Sequence, residues 1–436
     1  MKVSKFYHTI AIVAFFTIIT VTVKSNPNLT TKVKTSYPST VATNWMNFIT
    51  KMAKNELVNA PASLRLYAYT SLALYESQAP GMPGYQSLFP SFTGKKINIE
   101  NSVNNYPPAC ANAALAEILR KLNIIKSLPA IDSMEKAVQA SFPGNINSLQ
   151  LDASNALGKQ VADSIYEWSK SDGTFEKRET INPTLTGPGN WALPAGINTM
   201  QSGIYQGLLR TFVKDATTTT DPGAPPVYST DPSSVFYKSA DEIYSLRKNI
   251  SLNDSLLVLS WQNKPPVNYN TMSHLVKVLT SIIEKEKLTL DKAAMLYAKN
   301  GMAMFDAIAA SFYAKHKYNL VNPATYINQI MLHPEWQSVY PYNLFPSYPS
   351  NFAACISASA HIMEEEFGSK YPFTDSANIS ISTPRSYKSF AEFIDITGKQ
   401  LMSSGLDYRF SVEAGTAQGI KIAKLVNSLP FKTNKK

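Results

Sequence analysis

Apolar residues along most of this chain recur at steps of three and four, the spacing that gathers them on one face of a helix. The clearest run is Ala294, Ala298, Gly301, Phe305, Ile308 and Phe312, a seam whose small members let a neighbouring helix come close. It predicts a long helix from Leu290 to about Lys315, with Thr289 as N-cap and Asp291 near the positive helix end. Earlier in the chain, 42–59 and 62–78 read as an amphipathic pair hinged at Asn59-Ala60-Pro61. The second of these carries Leu64, Leu66, Tyr67, Tyr69, Leu72, Leu74 and Tyr75 with few polar gaps, so it is expected to be buried on most sides and to stop at Pro80-Gly81. Further helices are predicted over 108–127, 130–141, 147–171, 235–247, 251–262, 270–287, from Ser350 through Phe367, and over 387–402. No strand alternation of useful length occurs, and the fold class is all-α.

Two stretches break this pattern. Residues 1–24 have Lys2 and Lys5 ahead of an apolar run from Ile10 to Val23, too short for a comfortable span of about 20 apolar residues. They read as a secretory signal, or as an N-terminal anchor if uncleaved, and the mature protein is expected to be exported, periplasmic or extracellular. Residues 180–234 are the other exception: Pro183, Pro188, Pro194, Pro222, Pro225, Pro226 and Pro232, with Thr217 to Thr220, forbid long regular structure. Trp191, Tyr205, Leu208, Leu209 and Phe212 are too apolar for a free linker. The segment is therefore expected to pack as a loop on one helical domain, 25–436, and not to divide it.

The chain has 436 residues, 44% hydrophobic and 17% charged, a globular balance with enough length for a large core. Its net charge is +10; three Lys within residues 1–24 account for part, leaving +7. Apart from Lys432, Lys435 and Lys436 the basic residues are scattered, with no arginine stripe or interleaved aromatics, so no nucleic-acid partner is expected. No integral membrane domain beyond the N-terminal segment is expected either. Cys110 and Cys355 are far apart and in no metal-binding spacing, which leaves a disulfide and two separate buried thiols both open.

In the last third stand Lys317 with Asn322-Pro323, then Phe345-Pro346-Ser347-Tyr348-Pro349-Ser350-Asn351-Phe352, then Gly405-Leu406-Asp407-Tyr408-Arg409-Phe410. This resembles the vanadium-dependent haloperoxidase and type 2 phosphatidic acid phosphatase superfamily. Leu74-Tyr75-Glu76-Ser77, Pro80 to Tyr85, Trp191, Arg210-Thr211-Phe212, Ser234 to Tyr237, Trp261 and Met304 to Ala307 look like its bacterial haloperoxidase-like branch, so the likeness runs in order over about 40–430. It implies packed helical bundles with an anion site between helices of the half at 290–430. The superfamily pattern is a Lys, a distant Arg-Pro, a Pro-Ser-Gly-His, and an Arg six residues before a final His. Here Lys317 and Ser350 match, while Asn322, Asn351, Phe352, Leu401 and Asp407 stand where the resemblance places Arg, Gly, His, Arg and His.

Those replacements remove what a doubly charged oxyanion needs. Paired arginine donors match vanadate or phosphate oxygens, and the histidines supply the ligand or nucleophile and the general acid or base. A carboxylate at Asp407 repels the anion, and Lys317 with Asp407 sums to zero charge. Leu401 continues the apolar face of Phe390, Phe393 and Ile394, and with Phe352 it is expected to fill part of the ancestral cavity. Arg385 or Arg409 is a candidate replacement partner for Asp407. The expectation is a pseudoenzyme with a binding or structural role and no cofactor. The alternatives are a divergent haloperoxidase or acid phosphatase that keeps vanadate in a rearranged site, and a module binding an apolar small molecule or glycan. His361 and Glu365 share a helix face, but Ile356, Ala360, Met363 and Phe367 make the inner stripe, so the pair is expected outward and no metal site is predicted. Asp306, mid-helix among apolar neighbours, reads as a hydrogen-bonded structural carboxylate.

Overall fold

The computed structural model describes residues 36–97, 105–175, 187–192, 204–261, 267–339, 344–378 and 383–433, and the predicted signal at 1–24 lies outside them. Among the described residues there are fifteen α-helices and two three-residue strands. None of the helices is long and apolar enough to cross a membrane.

The first bundle is built from α1 (Thr40–Asn55), α2 (Ala60–Gln78), α4 (Pro107–Leu122), α5 (Leu128–Ala140) and α6 (Ser148–Ser169), with the short α3 (Phe89–Thr93) beside them. Helix α2 begins because Asn59 accepts a hydrogen bond from the Ala62 N–H at 2.9 Å while Pro61 needs no N–H partner in the first turn. It is buried from Ser63 to Gln78, as its few polar gaps predict. Burying its Arg65 is tolerable because Asp172 meets the guanidinium at 2.7 Å, with Ser169 O and the Tyr69 hydroxyl closing the network. Glu76 is buried too; Ser87 and the Leu88 N–H donate to it, and desolvation still pushes its carboxyl up to about 7.

The second bundle holds α10 (Thr271–Lys285), α11 (Leu290–Tyr318), α13 (Asn351–Phe367), α14 (Phe390–Ser403) and α15 (Arg409–Asn427). The shorter α7 (Ala216–Thr219), α8 (Val235–Lys248), α9 (Leu252–Ser260) and α12 (Pro323–Gln329) stand around it. Every member of the predicted α11 seam is buried, and Gly301 lets the α2 backbone pass, since a Cβ there would lie 2.9 Å from Tyr67 O. Helices α13 and α15 approach more closely still. A Cβ at Gly415 would run into the Ser350 carbonyl and one at Gly419 into the Ala354 carbonyl.

Several elements depart from the sequence reading, among them the short α3, α7 and α12, which it did not predict. Helix α15 was not predicted: its apolar residues are broken by Gly415, Gly419 and polar side chains, whose burial depends on α13. The class remains all-α as expected, and the strands present, β1 (Phe373–Asp375) and β2 (Arg385–Tyr387), are an antiparallel pair too short to show alternation. Its Asp375 accepts from His274 on α10 at 2.6 Å, and Trp261 stacks on that imidazole. Finally, the predicted helix 387–402 begins only at Phe390, where the Ser389 hydroxyl accepts from the Glu392 N–H.

The described parts of 180–234 lie on the helical body. Trp191 N–H donates to Asn319 O at 2.8 Å, and Val321 N–H to Gly189 O at 2.8 Å. Asp306, fully buried in α11, accepts the Phe212 and Val213 N–H groups, both at 2.8 Å, and burial pushes its carboxyl up to about 7. Residues 37–436 form one compact unit.

Two outcomes test this packing. Gly419→Ala is expected to lower stability by about 1–3 kcal/mol in chemical denaturation, because backbone must move to admit the methyl. Glu76 and Asp306 both hold their protons more tightly folded than unfolded. Their contribution is complete below the unfolded carboxylate range and is lost as pH rises towards 7, so the melting temperature should fall between pH 5 and pH 7.5. In Asp306→Asn that decline should be shallower.

Candidate functional site

The seam of α11 runs on one step beyond Phe312, and that step is Lys315. Its side chain is fully buried, donates to Pro346 O at 2.6 Å, and stands 5.0 Å from the Phe345 ring centroid. Loss of hydration lowers its ammonium pKa to about 8, an effect that the nearby Asp407 carboxylate opposes.

Lys317, two residues on, is corrected as a site residue. Two residues turn the helix by more than half a circle, so its side chain leaves on another face, half exposed, and pairs with Asp221. The cation facing the site is Lys315. Sequence reasoning missed it although the alternation of four- and three-residue steps from Ala294 pointed to it.

Ser350 caps α13, accepting from the Ala353 N–H at 3.2 Å. Its hydroxyl proton goes to Asp407 Oδ2 at 2.7 Å, across the gap that Gly415 and Gly419 keep narrow. Asp407 precedes α15 and is almost wholly buried. Burial raises its pKa; Lys315 and the Ser350 hydroxyl oppose that rise. Written as ammonium and carboxylate or as amine and acid, Lys315 and Asp407 together carry no net charge.

Neither arginine considered as a replacement partner reaches Asp407. Arg409 pairs with Glu242 on α8, and Arg385, on β2, lies 5.7 Å from the Tyr387 ring centroid. Asn322 is buried at the start of α12 and donates to Phe345 O at 3.2 Å, so its amide braces the segment before Ser350. Leu401 is buried with Tyr408, Val412 and Met402 in a second apolar cluster. Phe352 is half-buried and lines a cavity of about 230 Å³ together with Asn351 and Phe345. Leu401 is not among the residues lining that cavity, but Phe352 also packs against the apolar cluster that holds Leu401.

Other candidates fall away from this centre. Glu365 is exposed as expected but His361 is not, its side chain being 12% exposed and 3.1 Å from Glu364; no metal-binding group of His, Cys, Asp or Glu occurs among the described residues. His333 stacks on Tyr244. Cys110 and Cys355 are separate buried thiols, each pushed up to about 12 by desolvation, so neither is nucleophilic at neutral pH.

The Lys315–Asp407 dependence can be measured. Lys315→Met alone is expected to cost about 3–5 kcal/mol, since it leaves a buried acid without its counter-charge. The double variant Lys315→Met with Asp407→Leu should be clearly more stable than that single variant. A denaturation double-mutant cycle reads the coupling; additive effects would show that the two groups do not interact.

The comparisons agree with this architecture. The family model for the VCPO second helical-bundle domain matches residues 295–432. Among solved structures, a bacterial vanadium-dependent iodoperoxidase superposes with a TM-score of 0.80 at 24% identity, over 92% of this chain and 99% of that one. A bacterial vanadium-dependent chloroperoxidase superposes in its holo form with a TM-score of 0.64 at 13% identity, over 86% of this chain and 92% of that one. Its apo form gives 0.64 at 14% identity, over 85% and 93%. A comparison with the curated proteins finds no match. The chain thus has the vanadium haloperoxidase fold, with the second helical bundle of that superfamily recognisable over residues 295–432.

Proposed function

We propose that this protein is an exported haloperoxidase-like pseudoenzyme, which has given up oxyanion binding and keeps a binding role. The observation that carries the reading is the hydrogen bond from Ser350 to Asp407 beside the buried Lys315. In that arrangement the serine proton, suited to an anion, is already given to a carboxylate of the protein, and the lysine charge is opposed by that same carboxylate.

The residues present do not fit vanadate or phosphate. The positions where the resemblance has two arginines hold Asn322, committed to Phe345 O, and Leu401, buried in an apolar cluster. Two charge-assisted donors are thereby missing, each worth roughly 1.5–3 kcal/mol. Phe352 and Asp407 supply no imidazole for ligation or proton transfer. Repulsion from a carboxylate adds up to about 4 kcal/mol per charge pair at 4 Å in an effective dielectric of 20. Losses of that size amount to several orders of magnitude in affinity.

The similar solved structures are described as vanadium-dependent peroxidases, and that favours a second reading, a divergent enzyme that holds vanadate around Lys315 and Ser350. One experiment separates the two. Purified wild-type protein is expected to take up no orthovanadate by calorimetry and to show neither halide peroxidation nor phosphatase turnover above background. Asn322→Arg, Leu401→Arg and Asp407→His combined, checked for native circular dichroism, should raise vanadate affinity at least 100-fold. Stoichiometric uptake by the wild type, lost in Lys315→Met, would establish the enzyme reading instead.

A further inference from the structure

We propose that the cavity between α2, α10, α11 and α13 binds an uncharged, ring-containing molecule that bears one hydrogen-bond donor. This deepens the binding role proposed above and rests on it. The cavity, about 230 Å³, is lined by Phe312, Phe345, Phe352, Leu64, Met272 and Ile308, with Gln206 and Thr271 as polar residues besides Asn351. Among the described residues, none of its lining side chains is charged. An ionic guest would lose its hydration there without a counter-charge, which selects a neutral one.

Aromatic walls favour a flat guest. Phe312 and Phe345 meet edge to face, with centroids 5.4 Å apart, and present both an edge and a face to whatever lies between them and Phe352. Size narrows the class further. A cavity of roughly 150 Å³ holds benzene, so this one has room for a larger, fused or substituted ring. Its mouth lies beside the exposed Pro61 and the half-buried Leu344, which gives a path from solvent.

The donor is read from Asn351, the first residue of α13. Its side chain lines the cavity and is only 6% exposed, yet its amide oxygen receives no hydrogen bond from the described residues. A buried acceptor without a donor is costly. A guest hydroxyl or N–H placed against it would satisfy that oxygen, whereas an anion would be repelled. Asn351 stands where the resemblance has Gly, so this polar group is one the chain has in place of bare backbone.

The test is calorimetric titration of the purified full chain with 2-naphthol, 2-methoxynaphthalene and 2-naphthoate. Saturable one-to-one binding of 2-naphthol is expected, about five- to tenfold tighter than the methyl ether, as one neutral hydrogen bond implies. The carboxylate should not bind. Asn351→Leu should bring the naphthol and its ether to equal affinity. Ala60→Phe, at the half-buried mouth and away from the acceptor, should weaken both at least tenfold with an unchanged circular dichroism spectrum. Equal affinities in the wild type, a gap that survives Asn351→Leu, or no saturable binding would overturn the proposal. The two readings fail separately. Vanadate uptake beside donor-dependent naphthol binding removes the pseudoenzyme reading and keeps this one; no vanadate uptake and no naphthol binding does the reverse.

Discussion

Lys315 is a cation placed where no water can reach it, and the protein has to supply what water would have given. It does so with one carbonyl, one aromatic face and one carboxylate: Pro346 O, Phe345 and Asp407. The ammonium makes one hydrogen bond, to Pro346 O, and the Asp407 carboxylate acts on it through its charge, opposing its long-range field. The chemistry open to this half of the fold follows from that local balance. Beside it lies a cavity whose described lining residues carry no charge.

The balance exists because α13 and α15 come together. Their backbones approach so closely that Gly415 and Gly419 face the Ser350 and Ala354 carbonyls directly. Ser350 then serves two purposes with one hydroxyl, accepting from Ala353 N–H at the helix start and donating to Asp407. The Ser350 N–H donates to Ser411 O at 2.9 Å, so the two helix starts are also tied through backbone. Packing, capping and electrostatics meet at this one serine, and a change in helix separation would alter all three together.

On the opposite side of α11, Asp306 does for the long proline-rich segment what Ser350 does for the helix pair. Two backbone N–H groups that would otherwise be unpaired find acceptors inside a helix, and the segment is held where Phe212 can pack on Tyr69 and Phe305. Both devices use a buried acid as an acceptor, and in both desolvation raises the pKa of that acid. Both acids are held by hydrogen bonds, while the cavity beside Phe352 is predominantly apolar.

Much of this was legible before any tertiary structure. Periodicity alone placed α1, α2, α4, α5, α6, α8, α10, α11, α13 and α14 to within a few residues, because each has an apolar face set by local sequence. The order of motifs indicated the fold, and Leu401 in an apolar seam signalled a buried position. What stayed hidden depended on neighbours far away in sequence. Helix α15 has a weak apolar pattern because glycine is its contact residue. The strands are too short to show alternation. Lys315 and Lys317 differ by two residues and by nothing in composition, yet the turn of one helix sends the first inward to Asp407 and the second outward to Asp221. Local propensity determined which residues are helical; the packing of α11 against α13 and α15 decided which charge is buried, because only a folded neighbour can replace the water that a buried charge loses.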